Sequence, residues 1–216
     1  MNAGTSIRWS RGQIVTLTAL TIGYAGYYLC RSNLSVASPL LLESRDLEGV
    51  DKAALGNISS AAVLAYAVGK VVNGVVTDVL SPRAVFLLAM VLSLGATVAF
   101  GAATGVGVML VIWCANRFVQ SAGWGAALKI CGAWFDAAHY GRAAAILSMS
   151  YLFGDVLARV VLGQIIQAGV GWRGVFFTSA AVLGVIAVGS GLVLRDRPRA
   201  GAVERDALDA WVGGTA

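Results

Sequence analysis

Five ionisable side chains stand deep inside long apolar stretches of this chain: Arg31, Lys70, Arg117, Asp155 and Arg159. A charge at the centre of a membrane helix costs about 2.5 kcal/mol or more, so each is a functional candidate by default. Arg31 lies in G-Y-A-G-Y-Y-L-C-R-S-N-L-S-V-A-S-P, Gly23 to Pro39. On a helix, Thr21, Tyr24, Tyr28, Arg31 and Ser35 recur every three or four residues and form one polar stripe. Tyr66, Lys70, Asn73 and Thr77 make a second such face, and Arg117, Gln120 and Trp124 a third. Asp155 and Arg159 are one turn apart, the spacing of a local ion pair. If that pair opens, Asp155 is the carboxylate placed to carry a proton. Four cations against one anion cannot be neutralised by protein partners alone. The pattern predicts an internal, positively charged cavity that receives something negative. Lys129, nearer the end of its stretch, can instead snorkel to the headgroups.

The elements that must hold these side chains are membrane spans. The 216 residues are 58% hydrophobic and only 12% charged, where a soluble domain is about a quarter charged; the mean hydropathy is +0.77. Six apolar stretches, each near the ~20 residues that cross hydrocarbon as a helix, fill most of the length. The alternating pattern of a transmembrane barrel is missing. The spacing predicts spans over 13–42, 53–79, 84–103, 108–129, 143–168 and a sixth ending near Leu194. Pro39 is expected to kink or loosen the last turns of the first. Asp136, His139 and Arg142 are read as a loop. The domain reading is residues 1–12 as a cytoplasmic N-terminus, 13–194 as a six-span unit and 195–216 as a cytoplasmic tail.

Arg8, Arg11, Arg83, Arg142, Arg195, Arg197, Arg199 and Arg205 fall on one side of this topology. Arg45, Lys52 and Arg173 fall on the other, with Glu43, Asp46, Glu48 and Asp51 beside the first two. The positive-inside bias therefore puts both termini in the cytoplasm. Small residues at four-residue spacing, Ala61, Ala65 and Gly69 or Gly95, Ala99 and Ala103, suit close helix packing and nothing more. Asp78 at a helix end can pair with a cation across the turn that follows, and Gly74 permits close helix approach.

Other functions are disfavoured by what the residues offer. The basic residues form no soluble patch, so no nucleic-acid partner is expected. Cys30, Cys114 and Cys131 are scattered and odd in number, and His139 is the single histidine. That argues against a disulfide framework, a metal site or a cofactor. No nucleophile–base set points to an enzyme.

Gly74, Asp78 and Arg83 in G-V-V-T-D-V-L-S-P-R resemble the second-to-third-loop signature of the major facilitator superfamily. Arg117, Gln120 and Gly123 resemble its fourth-span R-x-x-Q-x-x-G motif. The Gly23–Pro39 stretch is similar to the first span of the organophosphate:phosphate antiporters, the glycerol-3-phosphate and hexose-phosphate transporters. A-Y-A-V-G-K around Lys70 and Q-S-A-G-W from Gln120 to Trp124 match the second and fourth spans of that family. The resemblance implies an all-α fold of six transmembrane helices, one half of a two-half transporter of the cell membrane. It implies that Arg31 binds a phosphate, that Tyr24, Tyr28, Tyr66, Lys70, Gln120 and Trp124 face the substrate with Arg117, and that Gly74, Asp78 and Arg83 form a cytoplasmic gate.

The chain also departs from that family. Its fifth span reads S-Y-L-F-G-D-V-L-A-R where the antiporters have a W-N-x-x-H-N pattern, so Asp155 and Arg159 are additions and Phe153 stands near the family's histidine. Arg117 follows the wider superfamily rather than the phosphate antiporters. The expected partners are a small anionic solute, the lipid bilayer and a second six-helix half, as a separate chain or a second copy. The expected function is secondary transport of a phosphate ester. The alternatives are an anion:cation symporter of organic acids, or a membrane anion sensor or inactive remnant.

Overall fold

The computed structural model describes residues 9–44 and 46–198. Arg8, Arg45, Arg199, Arg205 and most of the 195–216 tail lie outside the described residues. Among those described, the regular structure is entirely helical: α1 Arg11–Glu43, α2 Lys52–Val79, α3 Pro82–Ala102, α4 Val106–Gln120, α5 Ala122–Trp134, α6 Ala137–Gln167 and α7 Trp172–Val193. α4 and α5 are one membrane span, Val106–Trp134, interrupted at Ser121. Seven helices thus make six spans.

Local chemistry sets the helix ends. Ser10 and Gln13 form a reciprocal capping box at the start of α1, and Asp51 accepts from the Ala54 N–H at the start of α2. Ser81 caps α3 with Pro82 in the first turn, where its missing N–H is harmless. Asp136 accepts from the His139 backbone N–H and caps α6. This corrects the expected loop: Asp136 ends the linker, and His139 and Arg142 are already helical. The His139 ring and N–H also hold the exposed Asp136 carboxyl below its ordinary pKa. α1 runs on through Pro39 to Glu43, so the loss of one backbone donor does not end it.

Five of the spans are long and apolar enough to cross a membrane by length and composition. The sixth, α1, has 33 residues, about 50 Å at 1.5 Å per residue. Its threonines and tyrosines dilute its hydropathy. Its place in the bundle explains that composition: α1 packs against α6, α7 and α5 at once. α2 packs mainly on the α4–α5 span, and α3 joins that span to α7. Much of α2 and α6 is left open, with Val68, Val71 and Val75 exposed on one and Leu152, Phe153 and Val156 on the other.

Two apolar clusters build the interior. Leu17, Tyr24, Tyr27, Phe86, Ala126 and Leu147 belong to the first, and Leu34, Ile58, Phe100, Met109, Leu162 and Phe176 to the second. Between them, at mid-span, lie buried polar residues: Ser32 and Asn33 on α1, Ser93 and Thr97 on α3, Asn116 and Gln120 on α4, Ser150 on α6 and Ser179 on α7. The bundle has a polar waist between two apolar ends. The ionisable residues singled out in the sequence stand at that waist.

Candidate functional site

Tyr66 of α2 is the centre of the site. Its ring centroid is 5.0 Å from the Arg31 guanidinium carbon, 5.1 Å from that of Arg117 and 5.4 Å from Lys70 Nζ. Three cations from three spans therefore gather at the ring of one tyrosine, within the range of an attractive cation–π contact for each. Among the described residues none of the three takes part in a salt bridge; the ion pairs are Lys129–Asp78, His139–Asp136 and Arg159–Asp155.

Arg31 is aimed by its neighbours. Its Nε donates to Gln120 Oε1 at 3.2 Å, its Nη1 donates to the Tyr28 hydroxyl at 3.1 Å, and the guanidinium lies 4.6 Å from the Tyr28 ring centroid. Nη2 is buried and has no protein acceptor, and the same holds for Arg117 Nη1. Buried charged donors are expensive to leave unmade. They point to an acceptor that the protein does not supply.

Gln120, expected on the substrate face of its helix, is held within the bundle. It is fully buried and donates through Nε2 to Ser93 Oγ and Asn116 Oδ1 at 2.8 and 2.9 Å. Ser93 donates to Asn116, and Asn116 to Thr97. This network uses the Gln120 amine and so turns its carbonyl towards Arg31. Ser93, Asn116 and Thr97 carried no signal as site residues, because a single hydroxyl or amide in an apolar helix looks the same whether it packs or positions. Tyr24 is likewise buried: its ring centroid is 5.1 Å from that of Trp124 and 5.9 Å from that of Tyr28, forming the aromatic wall behind Arg31.

The approach of α2 to α4 depends on Gly69. A Cβ there would lie 2.5 Å from Ser121 Oγ and 2.8 Å from the Phe118 carbonyl oxygen. Asn73, one turn on, donates to the same two oxygens at 2.8 and 2.9 Å. It thereby braces the break between α4 and α5 from α2. Gly74 is different: among the described residues nothing lies within 4 Å of its Cβ position, so no close helix contact there requires it.

Asp155 and Arg159 meet as their spacing predicts, with Arg159 Nε donating to Asp155 Oδ2 at 2.9 Å. Ser32, the neighbour of Arg31, donates to the other carboxylate oxygen at 2.5 Å. The pair ties α6 to α1. Asp78 pairs with Lys129 of α5 and not with Arg83. Arg83 turns towards α7, where its Nη2 donates to the Gly191 carbonyl at 2.7 Å and its backbone N–H to Asp196 at 2.8 Å. The reason is the turn at Leu80–Ser81: it places Arg83 in the first turn of α3, on the face that packs against α7.

The fold and this waist define a polytopic helical membrane protein with three cations gathered around one tyrosine at mid-span. A sequence model of the Major Facilitator Superfamily matches residues 20–212. The chain belongs to that superfamily, so it is a multi-pass protein of the cell membrane and not an enzyme. It is 31% identical to a probable hexose phosphate transport protein of Chlamydia pneumoniae, over 84% of this chain and 38% of the relative. Identity is 30% to a glycerol-3-phosphate transporter of Bacillus subtilis, over 88% and 43%, and 27% to the membrane sensor protein UhpC of Salmonella typhimurium, over 89% and 42%. A bacterial homolog of the human lysosomal transporter Spinster, solved inward-facing, has the same fold, with a TM-score of 0.75 at 19% identity over 89% of this chain and 45% of that one. The chain spans about two fifths of the length of the curated relatives it matches.

Proposed function

We propose that this chain is the N-terminal half of a secondary transporter for a small organic anion, a phosphate ester. One observation carries the reading: Arg31, Lys70 and Arg117 converge on Tyr66 with no carboxylate to neutralise them. A tetrahedral oxyanion accepts from several N–H donors at once, and a guanidinium is shaped to meet it. The relatives that carry phosphate esters support that chemistry. Residues 13–194 form the membrane unit in this reading, flanked by cytoplasmic segments 1–12 and 195–216. A second six-helix half faces α2 and α6 and closes the cavity, and rocking of the two halves alternates access to it. Asp78 and Arg83, each fastened to a neighbouring span, act as separate parts of the cytoplasmic gate.

Ligand-dependent unfolding of the chain in lipid nanodiscs tests the reading. Glucose 6-phosphate and glycerol 3-phosphate at a hundredfold excess over Kd should stabilise it by about 2.7 kcal/mol, and succinate should not. A response to succinate alone would favour an organic-acid symporter, and none to any phosphate ester would end the proposal. The similarity to a membrane sensor supports a second reading, in which the same site binds the anion and reports it. Uptake of radiolabelled ester into liposomes by the chain with its completing half separates the two, since a sensor binds without accumulating.

A further inference from the structure

Ile22 and Arg31 of α1 are about two and a half helical turns apart and so stand on opposite faces. The Arg31 face meets the cation cluster. The opposite face carries Arg11, Ile14, Thr18 and Ile22 at spacings of three or four, and all four are exposed. A hollow flanks this ridge on each side. One, of about 270 Å³, lies towards α6 and is lined by Trp9, Thr21 and Ile146. The other, of about 390 Å³, lies towards α7 and is lined by Ile186, Gly189 and Val193. Ile14, Thr18 and Ile22 line both. A third hollow, of about 500 Å³, continues the first past Trp9 and Ile146 to Arg142. From Arg11 to Ile22 the helix rises about 16 Å, the depth of one leaflet of a ~30 Å hydrocarbon core.

We infer that this face binds one diacyl anionic phospholipid. Two apolar hollows astride one ridge fit two acyl chains, and the basic hollow at their end fits the headgroup. Arg11 and Arg142 take part in no salt bridge among the described residues, which leaves both free to meet a lipid phosphate. Trp9 stands between them and the hydrocarbon, the level at which tryptophan collects in membranes, and its buried Nε1 has no protein acceptor. The positive-inside bias assigns this end to the cytoplasm, where basic pockets between spans select anionic headgroups. Because the face is turned away from Arg31, it stays open to the bilayer when a second half closes the cavity. The lipid would fasten α1 to α6 and α7 at the end where the two flanking helices diverge around it.

Native mass spectrometry of the full chain, released from mild detergent with equal amounts of dioleoyl phosphatidylglycerol and dioleoyl phosphatidylcholine, tests the site. One phosphatidylglycerol should stay bound per chain, favoured by roughly tenfold or more. Arg11→Gln with Arg142→Gln should erase that preference. Gly189→Leu should lower retention of phosphatidylglycerol by a similar factor without touching either cation. Its side chain enters open space, since nothing lies within 4 Å of the Gly189 Cβ position. Thr18→Trp, which fills the ridge between the hollows, serves if the leucine variant does not fold. Equal retention of the two lipids by the wild type overturns the inference. So does a loss in the arginine variant with none in the filled ones, which marks loose attraction to a charged surface. A chain that keeps no lipid, or a dimer whose mass shows a second copy in its place, overturns it as well.

Discussion

The middle and the C-terminal end of α2 treat charge in opposite ways. Near its C-terminus, Asp78 holds Lys129, while across the turn Arg83 is fixed by the Gly191 carbonyl and Asp196. At its middle, Tyr66 gathers Arg31, Lys70 and Arg117 with no carboxylate in the group. Unpaired charge is cheap near water and expensive at the waist, so the economical arrangement would be the reverse. Pairing is possible at that depth, as Asp155 and Arg159 demonstrate one span away. The unpaired cluster is therefore a property of the site and not a shortage of partners. Paired charges fasten span to span in this bundle; in the proposed function the unpaired ones meet the solute.

The sharpest way to break the contrast is at Arg31. Arg31→Lys keeps the charge but replaces a planar fork, already anchored through two of its nitrogens, by a point charge. Binding of glycerol 3-phosphate should fall by about a hundredfold or more, with little change in the unfolding temperature. Undiminished binding would remove Arg31 from the site. Gly69→Val comes next. Its side chain must push α2 away from Ser121 and Phe118, which separates Tyr66 from Arg117 and costs about 1–3 kcal/mol as overpacking. Unfolding and titration should both register it, and normal affinity in a folded protein would show that the α2–α4 approach does not assemble the site.

Ser93→Ala tests positioning at a distance from any ligand. It removes one acceptor of the Gln120 amine and frees the carbonyl that orients Arg31, at about 1 kcal/mol of stability for the lost hydrogen bond. Affinity should drop several-fold, and a matched loss in Gln120→Ala would confirm a shared path. The smallest effect belongs to the paired end. Asp78 and Lys129 are well exposed, at 68% and 37%, so Asp78→Asn should change stability by about 0–1 kcal/mol, less at high salt, and leave anion affinity untouched. A large loss of affinity there would join the two regions into one site.

Much of this was legible in the chain itself. Hydropathy and the length of the runs between turns gave the six spans, five of them by apolarity alone, because a backbone in lipid must satisfy its own hydrogen bonds and helices do so locally. Arg31, Lys70 and Arg117 stood out for the same reason: a charge in an apolar run is costly wherever its helix ends up. The Asp155–Arg159 pair was readable because one turn of helix fixes it. Asp78 with Arg83 was not, since a turn fixes sequence neighbours but not the directions in which two helices present them. Gly74 and Gly69 make the same point. Both are glycines on α2, and only the packing of α4 distinguishes the open one from the one that meets Ser121.

What the sequence determined, then, was membrane depth and helix face, both set by residues within one span. What the tertiary structure decided was convergence. Tyr66 is an ordinary tyrosine on its own helix, and Gln120 an ordinary amide. They become the centre and the bracket of the cation cluster proposed as an anion site because Gly69 lets α2 close on α4 and a buried Ser93–Asn116 network turns one carbonyl towards α1. Those contacts join residues far apart in the chain, and no local period encodes them.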